Sequence, residues 1–341
     1  MKKHINIPVF IPHLGCPNAC VFCNQRVISG VSQFDSKSVI PIIDNALSTV
    51  EARTEAELAF FGGSFTGIEY DLMCDLLKIA NRYLKSGRIS SIRCSTRPDY
   101  IDAVILDTLK QYGVSTVELG LQSVSDSVLR ACERGHTMQD EINACKMIKE
   151  HGLRLGGQMM IGLPGSTLES ELQTARFIVE YGCDEARIYP TVVFRDTVLC
   201  DMAKAGEYSP LCLEDAVSRS ALVFAEFVKA GIKVLRIGLC ESENLHSTQT
   251  YFAGPNHPAL GELVENEYYY NTISGRLPSD AVYKNNTLTV YVAKGHISKA
   301  VGQHKTNKIR ILREYGFSDV KIKESSDISN YDVLLKIEER K

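Results

Sequence analysis

The sequence predicts an α/β fold in which strands and helices alternate to form an incomplete parallel barrel, followed by a small α+β extension. Three observations predict it. Short apolar, β-branched segments alternate with amphipathic segments of helical length over the first 240 residues. The linkers are short, and glycine or polar residues follow nearly every apolar segment. Such alternation favours parallel strands, and polar strand ends favour a barrel with its site at the carboxyl edge.

Six strand–helix units can be placed in order, with a possible seventh strand after them. The expected strands are residues 5–11, 58–61, 91–96, 116–121, 154–161 and 186–193, with 232–239 as the seventh. The expected helices are residues 38–52, 71–84, 102–112, 140–151, 167–181 and 213–230. Apolar residues recur at helical spacing, and Gly113, Gly152 and Gly182 stand where helix C-caps belong.

The pattern changes from about residue 241. Helices at 259–270 and 298–315 and strands at 287–292, 319–322 and 333–337 predict an α+β unit. The expected organisation is a core at residues 1–240 and an extension at 241–341 that packs on the core.

Composition narrows the function classes. The 341 residues carry 38 Lys+Arg and 41 Asp+Glu, a net charge of -3, which excludes a polybasic arm as the dominant feature. No apolar run approaches the ~20 residues of a membrane span. Because the two N-terminal lysines precede no apolar stretch, we expect a cytoplasmic protein without a signal peptide or a membrane partner.

Eleven cysteines in a reducing compartment predict metal ligation, catalysis or core packing rather than disulfides. Cys16, Cys20 and Cys23 have the spacing C-x3-C-x2-C in one loop. Thiolates suit zinc and iron–sulfur clusters. Structural zinc needs four protein ligands, and the nearby candidate, His13, is not at a finger spacing. Three cysteines on a four-iron cluster leave one iron open, while a zinc knuckle or three small loop residues remain alternatives.

This cysteine loop after the first strand of a βα barrel resembles the radical S-adenosylmethionine (radical SAM) superfamily. Phe22 before the last cysteine is typical of that family, and Gly62-Gly63-Ser64 resembles its Gly-Gly-Glu or Gly-Gly-Thr motif. Six further stretches are similar both to the Elongator catalytic subunit and to oxygen-independent coproporphyrinogen oxidase: residues 62–67, 97–99, 117–123, 134–137, 162–165 and 188–191. The similarity to the Elongator subunit continues at residues 254–258 and 261–265. The resemblance implies a partial (β/α)6 TIM-like barrel.

Departures from the Elongator subunit limit what the resemblance implies. That subunit has a longer gap between its first two cluster cysteines, a basic N-terminal RNA-binding region and a C-terminal acetyltransferase domain. This chain starts almost at the first barrel strand and ends too early for an acetyltransferase. We therefore expect an Elongator-like radical SAM domain without an acetyltransferase domain, and wobble-uridine carboxymethylation by the two-domain route is in doubt.

The resemblance implies an enzyme in which Cys16, Cys20 and Cys23 hold a [4Fe-4S] cluster. The cluster would cleave S-adenosylmethionine (SAM) to methionine and a 5′-deoxyadenosyl radical that abstracts hydrogen from a substrate. The substrate stays open between tRNA and a small molecule of the porphyrinogen-like branch. A low-potential electron donor such as flavodoxin or ferredoxin is the implied partner. The alternative is a non-catalytic module that binds zinc or a cluster.

Residues that follow the strands are the expected SAM contacts. Gly62 and Gly63 lack a Cβ, so their backbone can approach the SAM amino group, and Ser64 adds a hydroxyl. Gln122 ends the fourth strand, where its amide could hydrogen-bond SAM or substrate, and Gly162 would let backbone pass the adenine. Plain turns are the alternative for the glycines.

Two strands also carry polar residues within apolar sequence. Glu118 needs a partner if it is buried: ribose hydroxyls or a cation on one reading, a salt bridge to a base such as Arg93 on the other. Gln158 could bind the SAM ribose or carboxylate, or be a satisfied interior amide. Tyr189 after the sixth strand could contact the adenine or substrate, or belong to the core.

Basic residues are the remaining candidates. Arg97 and Arg187 could anchor an anion, with a structural role as the alternative. His136 is expected to be an exposed loop histidine. A basic stretch in the extension could touch phosphate or form a solvated face: Lys299, His304, Lys305, Lys308, Arg310 and Arg313.

Overall fold

The computed structural model describes residues 4–11, 14–16, 20–31, 33–50, 54–240, 245–278 and 282–339. The chain forms two compact units, Met1–Leu211 with Ile232–Asn256 and Cys212–Gly231 with His257–Lys341. This division differs from the expected boundary at residue 240, because helix 213–230 packs against helix 260–274 in the second unit. The packing of the extension on the core stays a prediction.

The first unit is built on parallel strands. Its strands are β1 His4–Ile11, β2 Glu55–Gly62, β3 Ser91–Thr96, β4 Val114–Gln122, β5 Arg154–Ile161, β6 Glu185–Pro190, β7 Val193–Phe194, β8 Lys233–Ile237 and β9 Tyr251–Ala253. Seven of them form one parallel sheet in the order β1-β2-β3-β4-β5-β6-β8 within the described residues. The partial barrel and its possible seventh strand are confirmed. β7 instead pairs antiparallel with β9.

Helices connect these strands. They are α1 Gln25–Ser29, α2 Val39–Ser48, α3 Tyr70–Lys85, α4 Ala103–Gln111, α5 Asp126–Ala131, α6 Met138–Glu150, α7 Leu168–Glu180 and α8 Val198–Ala205. The sequence explains their starts. Asp102 accepts a hydrogen bond from the Ile105 backbone at the start of α4, and Thr137 forms a capping box with Asp140 at the start of α6. Each cap satisfies donors that a helix N-terminus leaves unpaired.

The sheet is covered on both faces, which explains why its strands read as nearly continuous apolar runs. Consecutive residues, which point to opposite faces of a strand, are fully buried: Leu58, Ala59 and Phe60 of β2, and Val117, Glu118 and Leu119 of β4. The polar and glycine residues are concentrated at the carboxyl ends of the same strands, where parallel barrels place their functional sites.

The second unit is an α+β fold. It contains the helices α9 Leu213–Ala230, α10 Leu260–Ser274, α11 Ile297–Val301 and α12 Thr306–Tyr315 and the strands β10 Asn286–Val292, β11 Asp319–Glu324 and β12 Val333–Glu339. β10 is central, parallel to β11 and antiparallel to β12. The single helix predicted at 298–315 is wrong, because Gly302 has φ +79° and His304 and Lys305 also have positive φ.

None of the described helices is long and apolar enough to cross a membrane.

Candidate active site

The carboxyl ends of the barrel strands and the cysteine loop surround one cavity of about 230 Å³. Eight of the site residues predicted from the sequence line it: Cys16, Cys20, Cys23, Gly62, Gly63, Gln122, Gln158 and Tyr189. Phe22, Arg97 and Arg187 line it as well. The structure therefore brings residues from the cysteine loop and from β2 through β6 to one place. The nearby candidate ligand His13 lies outside the described residues.

The cysteine loop rests directly on the glycine pair that follows β2. The Gly63 amide donates to the Ile11 carbonyl at 2.8 Å, and the Ser64 amide donates to the Leu14 carbonyl at 3.1 Å. A Cβ on Gly63 would lie 2.0 Å from the Leu14 oxygen, and one on Gly15 would lie 2.2 Å from the Ser64 oxygen. These glycines thus have a packing role in holding the loop, whatever they contact in a ligand.

Replacing Gly63 by alanine is expected to displace the cysteine loop, because the new methyl group meets backbone that cannot rotate away. We expect the free energy of unfolding to fall by about 1–3 kcal/mol and iron loading on reconstitution to fall with it. Gly87→Ala is the control, since a Cβ there meets no atom within 4 Å. Its positive φ costs stability, but iron loading should match wild type. Normal loading of Gly63→Ala would contradict this account of the loop.

The Cys16 and Cys23 thiols lie where burial disfavours the thiolate form. Burial raises the pKa of Cys16, and burial raises the pKa of Cys23 to about 12. Arg134 Nη1 lies 3.4 Å from Cys20 Sγ, and Gln25 Nε2 lies 3.5 Å from Cys23 Sγ. Among the described residues, no three His, Cys, Asp or Glu side chains come close enough to hold a single metal ion. A four-iron cluster differs from a single ion in placing each thiolate on its own iron.

Two buried guanidinium groups lie beside the cysteines. Arg97 is 2% exposed and forms a two-pronged ion pair with Asp99, at 2.9 and 2.7 Å. Arg134 is 8% exposed, and its Nη2 donates to the Gly120 carbonyl at 2.7 Å. Arg97 Nη1 and Arg134 Nε are buried with no hydrogen-bond partner in the described structure. A buried hydrogen-bond donor without an acceptor lowers the stability of the folded protein. Two such donors in a cavity wall therefore indicate that the cavity binds a ligand with hydrogen-bond acceptors.

Arg134 is a site residue that sequence reasoning missed. In the sequence, residues 134–137 stand out only as part of a motif similar to the family, which indicates no role for the arginine. It precedes α6, and only the path of the chain after β4 brings it back to the cavity. Gly120 makes room for it, because a Cβ there would lie 2.9 Å from both Arg134 Nη2 and Gln122 Nε2.

Glu118 lies beneath the cavity rather than in its wall, in contrast to the expected contact with ribose. Its Oε1 accepts from Arg93 Nη1 at 2.6 Å and from Arg187 Nη2 at 3.0 Å. Its Oε2 accepts from Arg187 Nε at 2.6 Å and from Gln158 Nε2 at 2.8 Å. These four bonds use the acceptor positions of a carboxylate, so none remains for a ligand. The alternative salt bridge to Arg93 is confirmed.

Arginine charge keeps the Glu118 carboxylate ionised. Burial by itself raises its pKa, but the charge and hydrogen bonds of Arg187, followed by the charge of Arg93, outweigh burial and hold that pKa below its usual range. Arg93 also pairs with Glu57 and Glu185, both at 2.6 Å. The lower part of the barrel interior is thus a network of buried charges.

Two other expected SAM contacts are used within the protein. Ser64 is fully buried, and its Oγ lies 2.7 Å from Thr96 Oγ1. Gly162 is absent from the described cavity lining; its amide donates to Glu171 Oε1 at 2.7 Å and its carbonyl accepts from Tyr208 at 2.6 Å. Ser64 thus links to the end of β3 and Gly162 to α7, and their contact with SAM stays a prediction.

His136 is buried, not exposed as expected. Its Nε2 lies 3.0 Å from Glu141 Oε1, with both side chains sealed from solvent. Burial, assisted by the charge of Arg134, lowers the pKa of His136 to about 3, while burial raises the pKa of Glu141. The imidazole is therefore neutral at physiological pH.

The basic residues of the second unit are partly neutralised. Lys299 pairs with Glu265 at 2.7 Å, Lys308 with Asp319 at 3.0 Å, and Arg310 with Glu267. Three of the six basic side chains are thus paired with carboxylates, and contact of this stretch with phosphate stays a prediction.

Comparisons with known proteins agree with this geometry. The model of the "Radical SAM superfamily" matches residues 10–178, and the model of the "Radical_SAM C-terminal domain" matches residues 183–270. A tRNA uridine(34) acetyltransferase of Methanocaldococcus jannaschii is 35% identical over 133 residues, 38% of this chain and 25% of that protein. The match thus spans a quarter of that relative's length.

Two further similarities cover more of the chain. An uncharacterized protein of Methanocaldococcus jannaschii is 30% identical over 225 residues, 62% of this chain and 68% of that protein. The solved structure of archaeal Methanocaldococcus infernus Elp3 with an N-terminal deletion has the same fold, with a TM-score of 0.63 and 23% identity over 82% of this chain and 65% of that one. The chain belongs to the radical SAM superfamily and is an enzyme of that family, with an Elp3-like fold and no substrate yet assigned.

Proposed function

We propose that Cys16, Cys20 and Cys23 bind a [4Fe-4S] cluster and that SAM occupies the cavity beside them. The observation that carries this proposal is the combination of three thiols with two buried, unpartnered guanidinium donors in one cavity wall. SAM has a carboxylate that Arg97 Nη1 and Arg134 Nε would satisfy. The donor set therefore fits the cofactors of the family.

Held by these cysteines, a reduced cluster would supply the electron for cleavage of SAM to methionine and a 5′-deoxyadenosyl radical, and a low-potential donor such as flavodoxin or ferredoxin would reduce it in the cytoplasm. The protein binds and orients SAM and keeps water out. In this proposal Gly62 and Gly63 line the part of the cavity that holds the methionine portion of SAM. Gln122, whose φ of +71° is unusual for a side-chain-bearing residue, supplies an amide. Gln158 and Tyr189 contact the nucleoside.

The test is anaerobic reconstitution with iron and sulfide, reduction with dithionite in the presence of SAM, and measurement of 5′-deoxyadenosine. We expect a cluster absorbance and 5′-deoxyadenosine formation. Arg134→Met should retain iron but bind SAM more weakly, because the carboxylate loses a charged donor. A colourless protein with stoichiometric zinc would contradict the proposal and favour the metal-binding module.

For the substrate we propose a uridine in RNA. The support is the tRNA uridine(34) acetyltransferase among the relatives, together with the Elp3-like fold. The experiment adds transfer RNA from a deletion strain to the reduced enzyme and SAM, and analyses the nucleosides by mass spectrometry. A changed uridine is the expected result. Unchanged RNA with an altered metabolite profile in the deletion strain would favour a small molecule.

A further inference from the structure

Glu118 touches the cavity only through other side chains. Of the groups that donate to its carboxylate, Gln158 and Arg187 both line the cavity. Glu118 itself is 0% exposed and surrounded by strands β3 to β6. A residue in this position can affect a bound ligand only by holding the side chains around it in one orientation.

The contact with Gln158 determines the orientation of that side-chain amide. An ionised carboxylate only accepts hydrogen bonds, so it must meet the amide nitrogen of Gln158 and not its oxygen. The second N–H of Gln158 Nε2 is taken by Ser95 Oγ at 2.9 Å. With both N–H groups engaged, the amide oxygen is the one group that Gln158 can offer to the cavity, where its side chain is partly exposed.

The carboxylate is itself held from two sides. Arg187 donates to both of its oxygens and Arg93 donates to Oε1, and these bonds keep the group ionised and fix its orientation. Gly156 on the adjacent strand leaves space for it, because a Cβ there would lie 2.9 Å from Glu118 Cγ. The position is built for a carboxylate of this length.

We propose that Glu118 is a positioning residue that fixes the Gln158 amide with its oxygen toward the ligand, ready to accept from a hydroxyl group such as those of a ribose. This inference rests on the proposed binding of SAM in the cavity. In a Glu118→Gln protein the new amide can donate to the Gln158 oxygen. Gln158 can then turn, so that N–H groups face the hydroxyl instead of an acceptor.

The test compares Glu118→Gln with Glu57→Gln. Glu57 is also buried and also pairs with Arg93 at 2.6 Å, but it does not contact Gln158 and is not part of the cavity wall. Binding of S-adenosylhomocysteine is measured by equilibrium dialysis, and KM and kcat for SAM cleavage are measured separately. Glu118→Gln should weaken binding and raise KM roughly 10- to 100-fold with a smaller change in kcat, whereas Glu57→Gln should show no comparable rise.

A double-variant cycle shows whether the effect passes through Gln158. If it does, Glu118→Gln combined with Gln158→Ala should bind S-adenosylhomocysteine about as weakly as Gln158→Ala alone, because coupled residues are not additive. Additive losses would overturn the inference, as would equal effects of Glu118→Gln and Glu57→Gln. If Glu118→Gln does not fold, Glu118→Asp replaces it in the test. The shorter side chain keeps the charge but moves the carboxylate away from Gln158. Normal binding of S-adenosylhomocysteine by Glu118→Asp would also contradict the inference. Failure of wild type to bind S-adenosylhomocysteine would instead count against the proposed function.

Discussion

A Cys20→Ala protein is expected to lose both its iron and its SAM cleavage. The methyl group cannot replace a thiolate ligand, and two cysteines do not hold a four-iron cluster stably. We expect iron content after reconstitution, the cluster absorbance and 5′-deoxyadenosine formation all to fall to background. Cys16→Ala and Cys23→Ala should behave alike, because the three thiols line the same cavity.

The matched control is Cys74→Ala, which removes a half-buried thiol from α3. It should load iron and cleave SAM as wild type does. Iron content and SAM cleavage at the wild-type level in Cys20→Ala would show that this cysteine is no cluster ligand, and the assignment of the loop would be wrong.

Arg93→Met is expected to be the most destabilising single charge removal in the barrel. Arg93 is buried and pairs with Glu57, Glu118 and Glu185, each at 2.6 Å. Its removal leaves the buried carboxylates without their shared cation. Breaking a buried ion pair in this way lowers the free energy of unfolding by about 3–5 kcal/mol. The measurement is the free energy of unfolding in urea. Arg154→Met is the control, because Arg154 pairs with the same Glu185 at 3.4 Å from an exposed position and should change stability by under ~1 kcal/mol.

The pH dependence gives a second readout of the same network. In wild type the pKa of Glu118 is lowered from 4.5, so its stabilising contribution is complete above that pH and is lost as the pH falls through the folded-state pKa. In Arg93→Met the charge of Arg93 no longer lowers the pKa of Glu118, so this pKa rises toward its ordinary value. The variant therefore loses the Glu118 contribution at a higher pH than wild type does, and the deficit shrinks once wild type has lost that contribution too. The stability deficit should therefore be larger at pH 7 than at pH 3, and a deficit independent of pH would contradict this account.

Much of the fold could be predicted because local patterns determine it. β3 and β5 begin and end at the predicted residues, and the cap Asp102 stands at the predicted start of α4, whereas Thr137 caps α6 shortly before its predicted start at residue 140. The errors lie where local pattern and tertiary packing diverge. Residues 298–315 have helical spacing, but Gly302 permits a turn that splits the segment. Helix α9 lies between the barrel strands β6 and β8 in sequence, yet it packs against α10 in the second unit.

The sequence was enough to predict the family, through the resemblance of the cysteine loop and of residues 62–64 to the radical SAM superfamily, and to predict that three thiols within eight residues lie at one cavity. It was not enough to distinguish ligand contacts from internal partners. Glu118 and Ser64 were expected to contact a cofactor and instead bond within the protein, while Arg134 had no predicted role and lines the cavity. These outcomes depend on partners far apart in the chain, such as Arg93 and Glu185, which are 92 residues apart. A buried charge takes whichever counter-charge the closed sheet brings within reach, and only the tertiary structure decides which one that is.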